Sequence, residues 1–142
     1  MAQPVIGSRE MGRRALLATS LLVPVAARAQ GKPRIVATFS ILADFVRQVA
    51  GDRVEVTAIV GPETYSHAFQ PTPADARKLS NADVMVSNGL GLEGWLDRLA
   101  QASAFRGKTI VASEGSGFGG DPHCWQDVSN ARRYANIIAR GL

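Results

Sequence analysis

A single cysteine, two histidines and only 6% aromatic residues set the first limits on what this sequence can do. Cys124 has no partner within the chain, so an intramolecular disulfide is excluded even in an oxidising compartment. Nor does a cysteine stand where a lipid-anchored mature terminus would need one, which predicts an exported chain free of a lipid anchor. The longest apolar run, Ala15 to Ala27, is shorter than the ~20 residues that span a bilayer and contains Pro24, which argues against a membrane-spanning helix. No basic stripe interleaved with aromatics is present, so a nucleic-acid grip is not expected. Internal repeats, low-complexity linkers, a nucleophile elbow and paired carboxylates are missing as well.

What is there begins with a leader. Arg13 and Arg14 precede the apolar run, and Ala27-Arg28-Ala29 closes it with small residues at the positions a signal peptidase accepts. Residues 1–29 therefore read as an export signal cleaved near Ala29, and the arginine pair hints at the twin-arginine route. The formal charge of +4 belongs largely to this leader, because setting it aside leaves 12 basic against 11 acidic residues. The remainder, with 46% apolar and 20% charged residues over the whole chain, has ordinary soluble composition and the length of one domain.

From Arg34 onward, short β-branched runs alternate with helical patterns, which predicts an α/β fold with a parallel four-stranded sheet and helices on both faces. The strands are "RIVATF", "RVEVTAIV", "ADVMVSN" and "KTIVAS". A first helix, "ILADFVRQVA", is expected to be capped by Ser40, to bury Ile41, Phe45, Val46 and Val49, and to stop at Gly51. Thr72-Pro73 opens a second helix with a capping hydroxyl and a proline at its first position, and Asp75 suits the helix dipole there. "LEGWLDRLAQA" is amphipathic through Leu92, Trp95, Leu96 and Leu99, and a last helix starts at about Asp127. In such sheets ligands bind beyond the carboxyl ends of the strands, where both histidines fall: His67 after the second strand and His123 after the fourth.

Three constellations compete for the chemistry. Gly89, Gly91 and Gly94 match a dinucleotide fingerprint, with Glu114 at the offset of a ribose-binding acid, but the match follows the third strand instead of the first, and Glu93 inside it would repel a pyrophosphate. Cys124 beside His123 suggests a nucleophile, yet neighbours on an extended segment point apart, and a small residue packed under the loop is the simpler account. The two histidines suggest a metal site, since imidazole is the commonest nitrogen ligand for zinc and its neighbours, with Asp121 and Asp127 flanking His123 as partners that could orient its ring. Acid–base chemistry by His123 and Asp127 in an exported enzyme lobe is the alternative.

The stretch from "GPETYSHAFQPTP" through "NGLGLEGW" to "DPHCWQDV" resembles the amino lobe of the zinc/manganese substrate-binding proteins of ABC transporters, from about Lys32 to the end. The resemblance implies two lobes joined by a long helix, with a divalent transition metal (zinc, manganese or iron) held between them and passed to a membrane permease. It makes His67 and His123 metal ligands in a periplasmic, monomeric, non-enzymatic protein. It also divides the chain into a leader, a metal-binding lobe over 30–126 and the start of the linking helix over 127–142, leaving a second lobe and its ligands outside. The family's zinc-specific members often carry a histidine-rich loop between the two histidines; this sequence has none, which leans toward manganese or iron.

Overall fold

The computed structural model describes residues 31–115 and 117–142, so the expected leader and its cleavage point lie outside the described residues. Four parallel strands form one sheet: β1 (Arg34–Phe39), β2 (Glu55–Val60), β3 (Val84–Ser87) and β4 (Lys108–Val111), in spatial order β2-β1-β3-β4. β1 is buried from Ile35 to Phe39 because it has a strand on each side and helices above and below, the setting that demands an unbroken apolar run. At the edge, β2 alternates exposed and half-buried positions until Ile59 and Val60.

Among the described residues four helices cover the sheet: α1 (Ser40–Ala50), α2 (Pro73–Ser80), α3 (Leu96–Ser103) and α4 (Val128–Gly141). From β1 the chain steps to β2 on one side, then returns past β1 to β3 and β4 on the other. Right-handed crossovers in opposite directions put α1 on one face and α2 and α3 on the other. The packing agrees, α1 lying against α4 and α2 against α3. Among the described residues no helix is long and apolar enough to cross a membrane.

Local departures from the expected pattern have local causes. Strand β1 runs directly into α1, so Phe39, still extended, holds the N-cap position, and Ser40 is already helical and caps nothing. On the expected face of α1, Val46 is fully buried and Phe45 and Val49 are half-buried against the core, with Leu42, Ala43 and Ala50 buried beside them; Ile41 departs, 43% exposed and lining the cleft beyond the sheet. Helix α3 starts at Leu96 instead of Leu92, because Gly89, Leu90 and Gly91 all have positive φ and coil the chain into a turn first. Three strands are shorter than expected: β2 lacks Arg53 and Val54, β3 lacks Ala82, Asp83 and Asn88, and β4 lacks Ala112 and Ser113.

Helix α2 opens as expected. The Thr72 hydroxyl accepts from the Asp75 N–H at 3.3 Å, and Asp75 Oδ2 accepts from the Thr72 N–H at 3.0 Å, a reciprocal pair completed by Pro73 in the first turn. Burial works to raise the Asp75 pKa, but the Thr72 bonds and the Lys78 ammonium at 3.1 Å together hold it below the ordinary carboxylate value.

Candidate metal centre

His67 sits in a short helical turn, Ser66–Ala68, in the loop after β2, and His123 immediately precedes a second such turn, Cys124–Gln126, in the loop after β4. Strands β2 and β4 are the two edges of the sheet, so these loops reach over its carboxyl end from opposite sides. They meet: His67 Nε2 and His123 Nε2 lie 2.9 Å apart with ring centroids at 5.0 Å. One imidazole donates to the lone pair of the other, a pairing that neutral rings allow. Two imidazoles bound to one zinc at ~2.0–2.1 Å in tetrahedral array hold their nitrogens ~3.3 Å apart. An ion taking the place of the shared proton would need the pair to open by about 0.4 Å.

The pair lines a cleft of about 210 Å³ with Phe39 and Leu92 below it and Ile41, Tyr65 and Trp125 around it. Trp125 braces one side of His123 at 5.3 Å between centroids and itself packs on Phe39 at 5.0 Å, while Tyr65 stands 5.4 Å from His67. A roomier groove of about 560 Å³ between α2 and α3 presents Arg77 and Arg98 but no histidine or carboxylate, the wrong chemistry for a cation.

The two flanking aspartates part company. Asp121 Oδ1 accepts from the His123 backbone N–H at 2.8 Å and stands 3.5 Å from its ring Nδ1, where it favours the tautomer that leaves Nε2 free to coordinate. Asp127 Oδ1 instead accepts from the N–H groups of Ser129 and Asn130 and from the Ser129 hydroxyl, capping α4. Those bonds, the Ser129 hydroxyl first, hold the Asp127 pKa below its ordinary value. Engaged in that cap, Asp127 is poorly placed to act as an orienting partner or proton acceptor for His123.

Cys124 turns away from His123 into the core, 6% exposed, with Sγ 3.1 Å from the Tyr134 hydroxyl. Burial, and then the thiol itself, push the Tyr134 pKa upward, so the phenol stays protonated. In the glycine-rich turn the glutamate folds back on its own backbone. Glu93, 9% exposed, accepts from the Asn88 N–H at 2.7 Å, the Gly89 N–H at 3.2 Å and the Thr38 hydroxyl at 2.6 Å, taking amides a pyrophosphate would use. A side chain at Gly89 would meet Val111 at 2.6 Å, so that glycine serves the approach to β4.

Among the described residues no group of three or more His, Cys, Asp or Glu side chains is arranged to hold a metal. The candidate site offers two half-buried imidazoles, half of a four-coordinate shell.

The family model for the periplasmic zinc-uptake complex component A matches residues 35–142. The chain belongs to this family. Among relatives, the manganese-binding lipoprotein MntA of Halalkalibacterium halodurans is 39% identical over 117 residues, covering 77% of this chain and 38% of that protein. The iron-binding protein YfeA of Yersinia pestis is 32% identical over 143 residues, covering 89% of this chain and 46% of its own length. Among solved structures, a Mn-bound periplasmic metal-binding protein from Candidatus Liberibacter asiaticus superimposes with a TM-score of 0.67 at 33% identity, over 75% of this chain and 43% of that one. Zn(II)-bound AdcA from Streptococcus pneumoniae gives 0.69 at 30% identity, over 78% and 26%. The chain thus spans less than half the length of the relatives it matches.

Proposed function

We propose that this chain supplies the metal-capturing wall of the substrate-binding component of an ABC importer, with His67 and His123 as ligands to a divalent transition metal, zinc, manganese or iron. In this reading it is exported, with the leader removed near Ala29, binds its ion in the periplasm and passes it to a membrane permease. Further ligands come from a second lobe of the kind the longer relatives have room for. The observation that carries the reading is the 2.9 Å approach of two imidazole nitrogens contributed by loops from opposite edges of the sheet. Neutral nitrogen donors at chelating distance suit borderline divalent ions. Family membership, with relatives named for manganese and iron, supports the same class of cargo.

Calorimetric titration of zinc and manganese into the chain, His67→Ala and His123→Ala tests the assignment. A chelate needs both donors, so either substitution removes most of the binding and the double variant adds little. Parent-like affinity in both single variants would show that these histidines are not the ligands.

A further inference from the structure

The turn between β3 and α3, residues 88–95, touches both histidine loops, and at equivalent points. Asn88, fully buried at its start, donates from Nδ2 to the carbonyl of Pro122 at 3.0 Å. Trp95, 2% exposed at its end, donates from its indole N–H to the carbonyl of Ser66 at 2.8 Å. Pro122 and Ser66 are the residues immediately before His123 and His67. Each donor thus fixes the peptide plane from which one histidine springs.

Both donors are themselves held. Asn88 Oδ1 accepts from the Tyr134 hydroxyl at 2.9 Å, and the same hydroxyl meets Cys124 Sγ, so Asn88 reaches the chain on both sides of His123. The Trp95 ring packs edge-on against Phe69 at 5.1 Å, two residues after His67. Between them, Glu93 ties the turn to its own start and to Thr38 of β1. With its Asn88 and Gly89 amides bonded internally and its ends in the core, this turn has little freedom to change length.

We propose that Asn88 and Trp95 are positioning residues for the metal site: one rigid turn sets the separation of His67 and His123 by hydrogen-bonding the carbonyl that precedes each. The histidines then meet an ion already spaced for it, without the ion having to order two loops. This inference rests on the reading of the two histidines as ligands.

The test measures zinc affinity of the full chain, Trp95→Phe, Asn88→Ala, His67→Ala and His123→Ala at a temperature where circular dichroism shows each folded. Trp95→Phe keeps an aromatic ring on Phe69 while removing the donor and part of the indole's bulk, so it decides alone, against the Ile138→Val control, should Asn88→Ala fail to fold. Ile138→Val, which loosens the core of α4 without touching either carbonyl, is the control for stability. The expected result is a loss of about 10- to 100-fold in affinity for the Trp95 and Asn88 variants, the range for groups that orient metal ligands. Ile138→Val keeps parent affinity. With cobalt(II) as probe, the visible absorption band shifts in the two positioning variants and not in the control, which a merely destabilised fold would not produce. Loss of binding in the histidine variants with parent affinity and spectrum in folded Trp95→Phe overturns the positioning role and leaves the ligands standing. Parent affinity in the histidine variants overturns both.

Discussion

Glu93 brings a carboxylate into a buried turn and meets three donors there, the Thr38 hydroxyl and two backbone amides. A buried acceptor so satisfied is costly to disturb, because an amide in its place turns an N–H toward at least one N–H. Glu93→Gln is expected to lose about 1–3 kcal/mol of stability in urea denaturation; an unchanged midpoint would mean that the turn does not depend on the charge. Titrating NAD into the protein should give no saturable heat, since the amides that could cradle its phosphates are taken. From sequence, Glu93 was legible as an obstacle to a nucleotide, but not as the hub of the turn, because nothing in the spacing says which way a glutamate between glycines folds. The same limit divides Asp121 from Asp127. Both flank His123 in the sequence, yet Asp127 begins a helix and its carboxylate is drawn to the free N–H groups of the first turn.

Strand and helix order could be read from the alternation of β-branched runs with amphipathic ones, and the α2 cap from Thr72-Pro73, because these signals lie within a few residues of what they determine. The exposure of Ile41 on α1 and the start of α3 could not: one depends on Ile41 lining the cleft and the other on positive φ at Leu90, a conformation no leucine advertises. Ala104 ends α3 in the left-handed region at φ 50, where a Cβ is crowded. Glycine there removes that strain but has more freedom to lose on folding, so Ala104→Gly should gain a net ~0.5–1 kcal/mol, read as a higher melting temperature. Thr72→Ala should cost about 1 kcal/mol by the same measurement. The Asp75 pKa is lowered on folding, so the stability its charge brings is full above the ordinary carboxylate value of ~3.9 and is lost as pH falls through the lowered folded value. Melts between about pH 5 and pH 2 should therefore show a shallower acid decline in Asp75→Asn than in the parent, from a lower starting stability. An identical acid slope would place the titration elsewhere.

At the scale of the molecule, His67 and His123 hang from the two outermost strands, so an ion held between them would join the edges of the sheet through the crevice above β1 and β3. An ion held only by the folded state stabilises all of it, by ~2.7 kcal/mol at 100 times the dissociation constant. Protons compete for the same imidazole lone pairs, which makes that stabilisation shrink as the pH is lowered. Two imidazoles complete only half of a four-coordinate shell, and the relatives are more than twice as long as the stretch they share with this chain. Joining the chain to the remaining portion of such a relative should bring further ligands already positioned, lowering the dissociation constant and widening the metal-induced rise in melting temperature. The comparison is a thermal melt with and without zinc at neutral and at mildly acidic pH, for the chain, the joined protein and the His67→Ala/His123→Ala double variant. The rise should be small in the chain, large in the joined protein, reduced by acid in both, and absent in the double variant. A rise of the same size in the double variant would place the ion away from the histidines, and the joining of the sheet's edges would fall with it.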